Sequence, residues 1–278
     1  MKNAVKLLTF LVLSFLLIYS VSAALSSPLN IIVELLAFAL PVGVGYAASR
    51  KYKREREELA GIAEGEPTLV GFDGGSALRL LPLIAPTVAV VFLVSFLTSL
   101  LLGALGLSGS TVENAPLWQM LLLHALMPAI LEEALFRYLP MKLIAPYSKR
   151  WCVILSSAYF ALIHMNLYQL PYAFLAGFIF ILLDIAAESV WPSIILHFIN
   201  NAVSVLWIKY SSGGEFVLWF LIIMITLALA GAAVVIVRRK QYLSMARAAL
   251  SEGEPLGDLY APTLFVAFTL LMTIFNLF

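Results

Sequence analysis

Apolar residues in this chain come in long blocks, and the polar residues collect in short breaks between them. Apolar runs fall at about 5–25, 31–48, 80–105, 117–139, 151–165, 168–185, 191–208, 216–237 and 262–278. A run of roughly 20 such residues crosses the hydrocarbon of a bilayer as a helix. A helix is favoured there because it satisfies its own backbone hydrogen bonds where no water can. The pattern predicts an all-α, polytopic membrane protein of about eight or nine transmembrane helices. The run at 151–165 is short for a span. The first run follows Lys2 and Lys6 and ends near Ser22-Ala23-Ala24, the outline of a signal peptide. At about 19 apolar residues it is long enough to be a retained first span, and that is the expectation.

Composition agrees. Hydrophobic residues make up 62% of the chain and charged residues 12%, about half the charged share of a soluble domain. A net charge of +1 gives nucleic acid nothing to bind, so none is expected as a partner. The one cysteine, Cys152, rules out an intrachain disulfide and reads as packing.

The placement of the charges orients the spans. Lys2 and Lys6 precede the first run. Arg50, Lys51, Lys53, Arg54 and Arg56 lie between the second and third, Lys142, Lys149 and Arg150 between the fourth and fifth, and Arg238, Arg239, Lys240 and Arg247 between the last two. With alternating spans these all fall on one side, with Lys209 as the exception. The bias toward the cytosol predicts a multi-pass protein of the cell membrane with its N-terminus in the cytosol. The whole chain, 1–278, reads as one integral membrane domain with core helices at 117–208 and a cytosolic loop at 50–79. The charges at the start of that loop read as a solvated face. Glu64-Gly-Glu-Pro67 recurs as Glu252-Gly-Glu-Pro255 and reads as a shared turn.

Against this background a few ionisable residues stand out. Glu132-Glu133-Ala-Leu-Phe-Arg137 lies inside an apolar run. A carboxylate in hydrocarbon is costly, which makes it a functional-site hypothesis. Arg137 follows Glu133 at i+4, where the two can pair. The three histidines of the chain, His124, His164 and His197, also lie in apolar runs. His197 and Asn201 share a helix face at i and i+4, as do Phe160 and His164. Glu132 reaches the depth of His164 and His197 only if its helix continues past Pro140. A carboxylate, two imidazoles and an amide in a cavity within lipid suit hydrolysis of a peptide bond. The carboxylate can take a proton from water, and the imidazole and amide can donate to the oxyanion that forms.

The motifs Glu132-Glu133-Ala-Leu-Phe-Arg137, Phe160-Ala-Leu-Ile-His164 and His197-Phe-Ile-Asn200-Asn201, in this order, resemble those of the CPBP family. That family comprises the type II CAAX prenyl endopeptidases and the bacteriocin-processing or immunity (Abi) proteins. The resemblance covers about residues 117–208. It implies an intramembrane endopeptidase with its active site in a helix-bundle cavity. By analogy Glu132 activates water together with His164, Glu133 and Arg137 form a supporting ion pair, and His197 and Asn201 stabilise the oxyanion. Asn200 points about 100° away from Asn201 and is left out of the set. The resemblance does not carry over a prenylated substrate. The expected partners are a peptide or protein substrate reaching the site from the membrane or the cytosol, and the bilayer itself. Two histidines and a carboxylate could bind Zn²⁺, but a water-activating glutamate accounts for the same residues, so no cofactor is expected.

Two other functions fit the same composition. One is a non-enzymatic immunity protein that keeps the motifs as a structural network. The other is a proton-coupled transporter, weakened by the lack of visible internal repeats. His124 reads as packing or as a polar helix contact, Asp184 and Glu188 as interfacial, and Gly177 as a site of close helix packing. Trp151, Tyr168 and Trp191 read as interface anchors.

Overall fold

The computed structural model describes residues 1–22, 25–26, 28–60, 74–105, 115–250, 255 and 260–275. Every regular element among them is a helix: α1 (Lys2–Ser22), α2 (Leu29–Ala60), α3 (Gly74–Ala104), α4 (Leu117–Leu143), α5 (Lys149–Leu162), α6 (Leu170–Ala187), α7 (Trp191–Tyr210), α8 (Gly214–Val237), α9 (Arg239–Ala249) and α10 (Tyr260–Phe275). Seven of them, α1 to α4 and α6 to α8, are long and apolar enough to cross a membrane. The chain is an all-α polytopic membrane protein, as the run lengths predict.

α4 to α7 form the central group. α1, α2 and α10 pack on its α4–α5 side, and α3 and α8 on its α6–α7 side. The outer helices face outward with their apolar side chains: Val237 at the end of α8 is 83% exposed, and Leu218, Trp219 and Leu229 are also exposed. The centre holds the charge instead. Glu133, Arg137 and Asp184 are wholly buried. This arrangement is expected where the solvent is lipid.

α1 is built into this bundle. Ala4, Val5, Leu8, Leu11, Val12 and Phe15 are buried. Thr9 donates to the Val5 carbonyl and so accepts from the Tyr159 hydroxyl, 2.7 Å away on α5. Small residues set the close approaches. A Cβ on Gly177 of α6 would sit 3.2 Å from the Ser157 backbone of α5, and one on Gly231 of α8 would sit 1.9 Å from Pro86 Cβ of α3.

One element is as short as its run implies, and another is missing from the apolar runs. α5 has only 14 residues; Met165, with φ of 44°, turns the chain just beyond it. The basic stretch after α8 contains a helix of its own, α9. It half-buries Tyr242 and Met245 and exposes Arg239, Lys240 and Arg247. Its apolar residues are interleaved with polar ones, so a search for apolar blocks passes over it. The expected loop at 50–79 is largely helical at its edges, since α2 runs to Ala60 and α3 starts at Gly74. Both copies of the Glu-Gly-Glu-Pro turn lie outside the described residues, Pro255 excepted.

Candidate active site

α4 carries the paired glutamates, and its backbone is not uniform. It widens to i→i+5 hydrogen bonding twice: Met127 N donates to the Leu122 carbonyl, and Leu139 N to that of Ala134. Each π turn precedes a proline, Pro128 or Pro140. Wide turns of this kind recur at functional sites, and they re-aim the side chains that follow. Pro140 has no N–H for the Phe136 carbonyl four residues back. Ser156 of α5 donates its hydroxyl to that carbonyl at 2.5 Å. α4 therefore continues to Leu143, which is the condition for Glu132 to reach the depth of the histidines.

Glu133 lies at the centre of a buried chain of contacts. Its Oε2 is 3.1 Å from Arg137 Nε, with neither side chain exposed. Its Oε1 accepts from His197 Nδ1 at 2.6 Å. That bond orients the ring and turns Nε2 toward Glu132, whose Oε2 is 3.8 Å away. Glu132 Oε2 is buried and forms no hydrogen bond with the protein. The Arg137 guanidinium lies 4.1 Å from the centre of the Phe160 ring and 5.6 Å from that of Phe180, a cation–π arrangement. Phe160 also meets both imidazoles edge to face, His164 at 5.2 Å and His197 at 5.6 Å. The phenylalanine of the second motif is thus the apolar centre around which the charged residues are arranged.

His164 lies just past the end of α5. The Phe160 carbonyl accepts from its Nδ1 at 2.7 Å, which leaves Nε2 as the basic nitrogen. Glu132 and His164 line one cavity of about 280 Å³, together with Phe15, Tyr19, Glu34 and Phe38 of α1 and α2, His124 and Met127 of α4, and Met165. His197 and Asn201 are not on that wall; His197 approaches Glu132 from α7. Asn201 is half-buried one turn beyond His197. Its Oδ1 accepts from Asn200 Nδ2 at 3.4 Å.

The six residues singled out in the sequence therefore fall into two groups. Glu132, Glu133, Arg137 and His197 are linked side chain to side chain, and Glu132 and His164 share a cavity. Asn201 is joined to them through its helix.

Two of the neighbouring residues, Asp184 and His124, are corrected by the structure, and Glu188 is not. Asp184 is not interfacial but wholly buried, and its Oδ1 accepts from Ser193 N at 3.0 Å, inside the first turn of α7. Glu188 is exposed and closes α6 in the left-handed region with φ of 50°. His124 lines the cavity and is exposed there. Tyr19 and Glu34, which no motif marks, also line it. Glu34 is the only acidic residue in the 31–48 run, and that isolation is the signal that could have found it. Among the described residues, no three His, Cys, Asp or Glu side chains are placed to hold a metal ion.

Residues 114–203 match the family described as type II CAAX prenyl endopeptidase Rce1-like. The match agrees with the resemblance to the CPBP family that the three motifs carry. The match takes in all three motifs and α4 to α7 as far as Asn201 and Val203, and it leaves α1 to α3 and α8 to α10 outside. No curated protein and no solved structure matches the chain.

Proposed function

We propose that this protein is an intramembrane endopeptidase that hydrolyses peptide bonds of membrane-associated or lipidated polypeptides. One observation carries the reading: Glu132 and His164 line the same cavity, and His197 stands behind Glu132 at 3.8 Å. The CPBP match at 114–203 supports a protease of this class.

In the proposed reaction a water molecule sits between Glu132 and His164. Glu132 removes one proton as the water oxygen attacks the peptide carbonyl carbon, with His164 Nε2 orienting the water. The carbonyl oxygen becomes an oxyanion. The Asn201 amide and His197 Nε2, the latter when the ring carries both protons, donate to it. The C–N bond then breaks, and the proton held by Glu132 passes to the departing amine. Glu133 and Arg137 do not touch the substrate. They fix the His197 ring and supply the counter-charge that makes a carboxylate tolerable at this depth. No step requires a metal. The protein is read as a multi-pass component of the cell membrane with its N-terminus in the cytosol, from the position of the basic residues.

The test is a comparison of membrane peptides in cells carrying the wild type or Glu132→Gln. The substitution keeps shape and removes the base. Products should disappear with Glu132→Gln and with His164→Ala, while both variants insert normally. Undiminished products from the Glu132→Gln protein would refute the reading.

A further inference from the structure

The cavity opens at one particular end of the bundle. Tyr19 lies three residues before the end of α1, and Glu34 five residues after the start of α2. His124 is seven residues into α4 and Glu132 fifteen, so at 1.5 Å per residue they lie about 10 Å and about 22 Å below the same end. Exposure falls along that path. Tyr19 and His124 are exposed, Glu34 is half-buried, and Glu132 has only 17% of its side chain exposed. The mouth is therefore at Tyr19, Glu34 and His124, and the reacting groups are at the bottom.

The basic residues occupy the opposite end. Of the 17 Lys and Arg, Arg137 is in the core and Lys209 alone belongs to the cavity end, where its Nζ donates to the Ala115 carbonyl at 2.9 Å. The rest lie at or near the start of α1, the end of α2, the start of α3, the junction of α4 with α5, and α9. The two ends are the same in every helix that lines the cavity. Tyr46 of α2 stacks on Tyr138 of α4 at 6.4 Å, and the Arg56 guanidinium lies 5.2 Å from the Tyr147 ring. Those contacts pin the late part of α2 to the end of α4, far from Glu34.

Lysine and arginine mark the cytosolic side. We infer that the catalytic cavity opens toward the non-cytosolic half of the membrane, past Tyr19, Glu34 and His124, and that its substrates are polypeptides presented from that side: exported, membrane-attached chains. This departs from the expectation of access from the cytosol and keeps only access from the membrane, on its non-cytosolic side. What is cut rests on the hydrolase reading; the side on which the cavity opens does not.

Cysteine labelling decides the side. The natural Cys152 is wholly buried and provides a silent background. A membrane-impermeant maleimide applied to intact cells should label Glu34→Cys, and should label Lys53→Cys only after the membrane is permeabilised. Labelling of Glu34→Cys that requires permeabilisation, or that fails in both states, overturns the inference. A second arm reads the substrate. Glu132-dependent cleavage sites should map to non-cytosolic segments of membrane proteins, and maleimide attached to Glu34→Cys should stop cleavage relative to the same unlabelled variant. Sites confined to cytosolic tails, or cleavage unaffected by the attached reagent, overturn it. If no Glu132-dependent product exists, the hydrolase reading falls, and labelling alone still settles which side the cavity faces.

Discussion

Six side chains that sequence alone could only align by spacing turn out to bear on one another physically: Glu132, Glu133, Arg137, Phe160, His164 and His197. The Glu133–Arg137 pair shows how. An ion pair out of reach of water is costly to form, and leaving one partner alone costs more. Arg137→Met should therefore destabilise the protein by about 3–5 kcal/mol, the range for breaking a buried pair. Thermal unfolding in detergent would measure this. Adding Glu133→Gln to Arg137→Met should recover much of that stability without recovering activity, because the His197 ring loses the carboxylate that orients it. The proposed metal independence is also tested at this scale. Three of the candidate donor atoms are already committed: His164 Nδ1 to the Phe160 carbonyl, His197 Nδ1 to Glu133, and Glu133 Oε2 to Arg137. Treatment with a chelator strong enough to strip tightly held zinc should leave cleavage unchanged. Activity lost to the chelator and restored by Zn²⁺ would overturn the metal-free mechanism.

At the scale of elements, the site depends on where helices start and bend. α7 must begin at the right height for His197 to meet Glu133, and Asp184 fixes that height from α6. Its Oδ1 accepts the Ser193 N–H in the first turn, while Ser189 accepts from Trp191 N at 3.3 Å across the tight α6–α7 turn. Asp184 is a positioning residue. Asp184→Ala should lower kcat by on the order of 10-fold to 100-fold, the scale of a displacement of about 1 Å, with little change in KM. Asp184→Asn, which keeps the acceptor oxygen, should restore most of the rate. Rescue is the discriminating readout, because a general packing defect would not respond to that one atom. The motif residues were legible because their types are so improbable in apolar runs. Asp184 was equally visible as a residue, but its proximity to the end of a span made it read as interfacial. Burial came from the fold of the α6–α7 turn, which no spacing rule describes. The π turns of α4 escaped for a related reason: a periodicity of 3.6 is assumed when faces are assigned, and the wide turns break it at Leu122–Leu126 and Ala134–Tyr138.

For the whole molecule, the helices outside the family match hold the core from two sides. α1 and α2 supply Phe15, Tyr19, Glu34 and Phe38 to the cavity wall, so part of the site comes from outside residues 114–203. On the other side α3 and α8 meet where Gly231 faces Pro86. This contact is remote from Glu132. Gly231→Ala should separate the two helices and cost about 1–3 kcal/mol, the usual penalty for overpacking. It should lower the unfolding temperature while leaving the rate per folded molecule intact. A fall in that rate would mean that α3 and α8 transmit their packing to the site.

The amino-acid sequence by itself determined the solvent of this protein and marked the residues on which its proposed chemistry rests. Apolar blocks of spanning length demand helices because lipid offers the backbone no partners, and carboxylates and imidazoles within those blocks are too costly to be incidental. The asymmetry of lysine and arginine is likewise written in the chain. Only the tertiary structure decided which atoms meet: Phe160 beneath Arg137, His197 between two carboxylates, Asp184 at the foot of α7, and a cavity shared with α1 and α2. Those meetings depend on helix ends, on two widened turns and on close approaches at small residues. They are differences of an ångström or two between segments far apart in the chain, below what residue type and spacing can specify.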